Sequence, residues 1–219
     1  MPRVLGFIDG SLMRLSYLPR DAERQSFYCR KGFLALNTQL ICDGDLNILN
    51  VDARWPGSLT DNLIWQYVCK SPFLSIGDNG YFTAPWLHVP ILHAEPGTPE
   101  YYYTLFHCHC RNVVERCIGV LKSRWRLLSI DRSINYKNAT YAGKIFNACC
   151  VLHNFCNARR VPVPPPLLEN NNDDDNVDIE PLPDLPLDVE QRGIAEMQYL
   201  INFANQRLNN DRNNIVHAL

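Results

Sequence analysis

The stretch 27-FYCRKGFLALNTQLICDGDLNILNVDARWPGSLTD-61 decides the fold. Residues 27–43 mix alternating and continuous apolar positions and read as one long strand. Asp43-Gly44-Asp45 is a turn signal, and 46-LNILNVDARW-55 follows as an antiparallel partner, so the pair is a hairpin. Pro56-Gly57 stops it. Ser58 then caps a helix over about 59–68, with Leu63, Ile64 and Val68 on one face. Upstream, 4-VLGFID-9 is short enough for a buried strand, which Gly10 and Ser11 break. Downstream, 73-FLSIG-77 reads as another strand. The longest helical pattern covers 99–129, where Val114, Cys117, Ile118, Leu121, Trp125 and Leu128 recur at helical spacing. A further helix covers about 139–158, with Ile145, Cys149, Leu152 and Cys156 as its stripe. Strand, hairpin, helix, strand, helix, helix predicts an α/β fold: a mixed sheet with an antiparallel hairpin and flanking helices.

The chain has 219 residues, 46% of them hydrophobic, which suits one globular domain and an appendage. The domain is expected over 1–160. From Val161 the composition turns to Pro, Asn and Asp, so 161–187 reads as a disordered acidic linker. Residues 188–219 hold an amphipathic helix to about 209 and a tail. Charge divides the same way. Residues 1–160 carry 18 Lys/Arg against 12 Asp/Glu, whereas residues 161–219 carry 3 against 11. A mildly basic body suits an anionic partner. The nine cysteines are odd in number, and the N-terminus reads without the apolar core of a secretory signal. The thiols are therefore expected to be reduced and intracellular. No stretch approaches the roughly 18 apolar residues of a membrane span.

Four acids sit at element ends or helix borders beside apolar runs: Asp9, Asp61, Asp78 and Glu115. Asp9 and Asp78 end predicted strands, where open α/β sheets present their ligands. Asp61 falls in the first turn of the helix after Pro56-Gly57. Glu115 lies about 60° from Ile118 on the long helix, at the border of its apolar stripe. Each has a plainer reading. Asp9 and Asp78 are turn formers beside glycine, Asp61 stabilises a helix N-terminus, and Glu115 pairs with Arg111 at i, i+4. If the four converge, their mutual repulsion calls for a divalent cation. An all-oxygen ligand set favours Mg²⁺ or Mn²⁺. Two such ions activate water and stabilise the leaving oxygen of a phosphodiester.

Several motifs together resemble the transposase-derived nucleases of the Harbinger superfamily: 6-GFIDGS-11, 30-RKGFLALNTQLICDGDLNILNVDARWPGSLTD-61, 76-IGDNGYFTAPWLHVP-90, 111-RNVVERCIGVLKSRWRLL-128 and 148-ACCVLHN-154. The resemblance covers about residues 3–158. It implies a DDE-type domain with an RNase H-like fold. By that resemblance the catalytic acids fall on Asp9, Asp78 and Glu115, and the metal ligands on these three plus Asp61. Gly77 and Gly80 would leave room for an ion and a phosphate backbone. The resemblance further implies a divalent metal cofactor (Mg²⁺ or Mn²⁺), hydrolysis of DNA phosphodiester bonds and a Myb-like DNA-binding partner protein. It places the protein in the nucleus, with the cytoplasm as a second compartment. A domesticated, non-catalytic DNA- or protein-interaction module is the alternative. The chain departs from the family pattern at Ser11-Leu12, where relatives carry Thr-His, and at Tyr103-Thr104 and Cys110. Relatives carry a helical region ahead of this domain, so the chain is expected to be shortened at its N-terminus.

Arg111, Lys122 and Arg126 project within about 40° of Glu115 on the long helix and are expected to meet nucleic-acid phosphates. The run 107-HCHCR-111 does not read as a zinc site, because alternate residues of a helix diverge by about 200°. Cys149 and His153, at i, i+4, read as core packing. Nothing marks any cysteine as a nucleophile beside a base.

Overall fold

The computed structural model describes residues 4–16, 24–68, 74–81, 87–129, 132 and 138–165, with three isolated helical positions at Gln191, Ala195 and Tyr199. The rest of the predicted linker and C-terminal helix lies outside the described residues. Five strands form one sheet: β1 (Val4–Arg14), β2 (Ala35–Cys42), β3 (Ile48–Pro56), β4 (Leu74–Ile76) and β5 (Leu87–His88). Their spatial order is β3-β2-β1-β4-β5. β1 runs antiparallel to β2 and parallel to β4; β2 and β3 form the antiparallel hairpin. Three helices flank the sheet: α1 (Asp61–Val68), α2 (Pro99–Arg124) and α3 (Ala139–Ala158). The α/β mixed sheet expected of an RNase H-like fold is the one observed.

β2 is buried along its whole length, because it has a neighbour on each edge and cover on both faces. On one face, Phe7 and Met13 of β1 join Val114, Cys117 and Leu121 of α2 and Phe146 of α3 in the main core. On the other, Ile8 and Ile41 pack with Trp65 of α1 and with Tyr81 and Leu87.

β1 does not break at Gly10. Gly10 and Ser11 stay paired with Gln39 and Thr38, and the strand runs on to Arg14. Asp9 therefore lies in the middle of the central strand, not at its end. The supposed long strand over 27–43 instead contains a tight turn. Gly32 donates its N–H to the Cys29 carbonyl at 2.9 Å and has a positive φ of 79°, which suits glycine. Tyr28 and Leu34 bridge its base, and β2 starts at Ala35.

Helix faces also differ from the pattern. α1 buries Ile64 and Trp65 and leaves Leu63 exposed, since Trp65 meets the Tyr81 ring edge-on at 6.2 Å. α3 buries Ala142, Gly143, Phe146, Cys149, Cys150 and His153, and exposes Leu152. Its rotation is set by Gly143, where an added Cβ would overlap the Ala53 carbonyl of β3. α2 ends at Arg124: Trp125, at φ −120° and ψ 76°, turns the chain away into a 3-10 turn, Arg126–Leu128.

The segment 148-ACCVLHN-154 pins the β2–β3 hairpin. Leu46 has a positive φ of 63°, and its carbonyl accepts from His153 Nε2 at 2.8 Å and Asn157 Nδ2 at 2.9 Å. Asn154 accepts from the Ile48 N–H at 2.7 Å and donates to the Ile48 carbonyl at 2.8 Å. Cys149 and His153 are thus core residues. In the 107–111 run, buried His107 bonds the His88 carbonyl at 3.1 Å while Cys108 faces solvent, so no shared ligand set forms.

Gly143→Ala is expected to destabilise the chain by about 1–3 kcal/mol through overpacking against β3. Urea denaturation measures this; an unchanged midpoint would mean that α3 does not seat where described.

Candidate active site

β4 pairs with β1 only as far as Phe7, opposite Ile76. β1 continues beyond that point, so groups from both faces of the sheet can meet beside it. A cavity of about 480 Å³ opens there, lined by Asp9, Asp61, Asp78 and Glu115 together with Lys122. The four acids come from β1, the start of α1, the turn after β4, and α2.

Each is held by local chemistry. Asp9 Oδ1 accepts the Gly10 N–H at 2.8 Å, and Arg111 donates to Asp9 Oδ2 at 3.2 Å. Arg111 also pairs with Glu115 one turn on. Arg111 is therefore the internal counter-ion of two of the acids, and not an outward phosphate contact as its helical projection suggested. Asp78 does form a turn: its Oδ1 accepts the Gly80 N–H at 2.9 Å, and that turn faces its carboxylate into the cavity. Gly77 is small for another reason than the expected one. A Cβ there would press on Tyr81 at 2.9 Å and Ile8 at 3.1 Å. Gly80 likewise lies against the Asp78 carboxylate.

Asp61 is positioned by β2. Asn37 Nδ2 donates to Asp61 Oδ1 at 3.1 Å and to the Leu59 carbonyl at 2.8 Å. Gln39 Nε2 reaches the Asp61 carbonyl at 3.3 Å and the Tyr81 hydroxyl at 3.0 Å. These two amides tie the start of α1 to the turn that carries Asp78. The Asp61 carboxylate then lies over Gly10, where a Cβ would overlap it. Asn37 and Gln39 were missed from the sequence, although two amides in a fully buried strand are a signal that something polar needs them. Arg30 and Lys31, at the tip of the turn before β2, also line the cavity and were also missed. Arg126 is not among its lining residues, because α2 has ended before it.

Electrostatics follow from this crowding. Burial raises Asp9 most; Arg111 opposes the rise, Asp78 and Asp61 add to it, and the carboxyl is pushed up to about 7. Burial also raises Asp61, against the Asn37 hydrogen bond, and Asp78 adds to the rise. The carboxylates thus sit where negative charge is uncomfortable without a cation. All their donors are oxygens, which suits Mg²⁺ or Mn²⁺. The Arg111 guanidinium fills the cationic role here. Among the described residues, no three of the acids close on one point as they stand.

The family model described as "DDE superfamily endonuclease" matches residues 8–154, which include all four acids. The chain belongs to that family. It is 31% identical to the human protein "Putative nuclease HARBI1" over 163 residues, 70% of this chain and 46% of the relative. The Xenopus laevis protein of the same name is 27% identical over the same share of each chain. The Arabidopsis thaliana "Protein ALP1-like" is 25% identical over 176 residues, 70% of this chain and 43% of the relative. The chain thus spans about half the length of the curated relatives it matches. No solved structure matches it. Family and relatives make this a nuclease-type domain.

The raised Asp9 has a pH consequence. Unfolded, Asp ionises near 3.8; folded, Asp9 ionises near 7. Its contribution to stability is therefore present in full below about pH 4 and is lost as pH rises through 7. Metal-free protein is expected to lose up to about 4 kcal/mol between those limits, and Asp9→Asn to flatten that loss. Urea titrations of both chains across the range test it; parallel profiles would contradict the assignment.

Proposed function

We propose that the chain is a divalent-metal-dependent nuclease domain that hydrolyses DNA phosphodiester bonds. The observation that carries this reading is the meeting of Asp9, Asp61, Asp78 and Glu115 on one cavity in a member of an endonuclease family. Asp9, Asp78 and Glu115 would hold the metal, with Asp61 as a fourth ligand. The bound cation would supply Lewis acidity towards phosphate oxygen and water. The chain's own residues do the rest. Arg111 keeps Asp9 and Glu115 together, and Asn37 and Gln39 fix Asp61. The Asp78 turn sets a carboxylate beside the central strand.

Purified protein is expected to nick supercoiled plasmid with Mg²⁺ or Mn²⁺. Asp78→Asn should lower the rate by more than about 100-fold at an unchanged melting temperature, since loss of an outer-shell group alone commonly removes 10–100-fold. Full nicking by that variant would overturn the assignment.

A second reading is favoured by Arg111. A cluster partly neutralised by its own arginine also suits a non-catalytic DNA- or protein-interaction module. Melting with Mn²⁺ separates the two. A site that binds metal only when folded gains about 2.7 kcal/mol at a hundredfold excess over Kd. No shift together with no cleavage selects the module. Under the nuclease reading DNA is a partner, a Myb-like protein would provide sequence recognition, and the nucleus is the compartment, with the cytoplasm second; the family resemblance supports these assignments.

A further inference from the structure

A polyanion cannot approach four carboxylates unless cations receive its charge. The sequence assigned that role to Arg111, Lys122 and Arg126. Arg111 is taken up by Asp9 and Glu115, and Arg126 lies beyond the end of α2. Lys122 remains on the cavity wall, seven residues after Glu115 and so on nearly the same face of α2.

The other cations of the cavity come from the turn before β2. Cys29 is buried and anchors the turn: it donates its N–H to the Phe33 carbonyl at 3.0 Å, and its carbonyl accepts the Gly32 N–H at 2.9 Å. That places Arg30 and Lys31 at the tip. The base of the turn is tied to the segment before α1, where Ser58 donates its N–H to the Ser26 carbonyl at 3.0 Å. Ser58 lines the same cavity. Arg30 is exposed yet close enough to Asp61 for its charge to favour the ionised carboxylate. Cations thus flank the acids from two elements: Arg30 beside Asp61, and Lys122 on the helix that carries Glu115, while the Lys31 ammonium is itself buried.

We propose that Arg30, at the tip of this turn, is a phosphate-backbone clamp that, with Lys122 on α2, seats the nucleic-acid strand across the carboxylates. The clamp rests on the nuclease reading above. It reads charge, not sequence, since its groups contact phosphates. Arg30, as a planar fork, takes two oxygens of one phosphate; Lys122 acts as a point charge on a neighbouring one.

The test is the salt dependence of binding to a short labelled duplex by fluorescence anisotropy, with constant Ca²⁺ as the oxygen-seeking cation. Each phosphate contact contributes about 0.9 to the slope of log K against log salt. Arg30→Gln should flatten the slope by about 0.9 between roughly 50 and 200 mM salt, while the charge-keeping Arg30→Lys should retain it. Arg126→Gln should leave it unchanged. An equal slope in the neutralised and original chains would overturn the clamp and leave the nuclease reading standing. Loss of binding in both the neutralised and charge-keeping variants would overturn it too, by showing that the turn matters for shape and not charge. If the original chain fails to bind the duplex, both proposals fall.

Discussion

Arg111 links Asp9 of the central strand to Glu115 of its own helix. Everything at the site depends on that link, because it sets an acid on α2 against one on β1. Without a cation between them, burial and three like charges would push the acids apart or protonate them. Asp9 still rises to about 7 with Arg111 opposing it, chiefly through burial, to which the like charges of Asp78 and Asp61 add. The site is an arrangement that the fold tolerates and a bound cation would relieve.

The surrounding structure serves this constraint at backbone level. Gly10 gives up its side chain so that the Asp61 carboxylate can lie over β1. Asn37 and Gln39 commit two amides of a wholly buried strand to holding Asp61 and Tyr81. Gly77 makes room for the Tyr81 ring, which receives the Gln39 bond. On the far side, His153, Asn154 and Asn157 fix the β2–β3 hairpin, and with it the register of β2. Rigid support on both faces lets four acids from four elements reach one cavity.

Much of this was legible in the sequence, for identifiable reasons. The hairpin showed because Asp-Gly-Asp separates two apolar runs, and α2 and α3 showed because their apolar periodicity is long. The four acids could be grouped through their motifs. Gly10 misled, since glycine after a short apolar run signals a break, and only pairing with β2 shows that the strand continues. Arg111 misled because a helical projection omits what the sheet presents to the helix. Arg126 misled because the end of α2 at Trp125 has no sequence mark. Arg30 and Lys31 were hidden inside a stretch that alternates like a strand, with only Lys31-Gly32 to hint at the turn. β5 has two residues, too few for any period.

The central claim is that these carboxylates form a divalent-cation site. Electron paramagnetic resonance of Mn²⁺ counts free against bound ion directly and needs no turnover. Titrated protein should remove Mn²⁺ from the free signal. Asp78→Asn and Glu115→Gln, folded to the same melting temperature, should each abolish or sharply weaken that uptake. A free Mn²⁺ signal undiminished by folded wild-type protein, or diminished equally by both variants, would contradict the account.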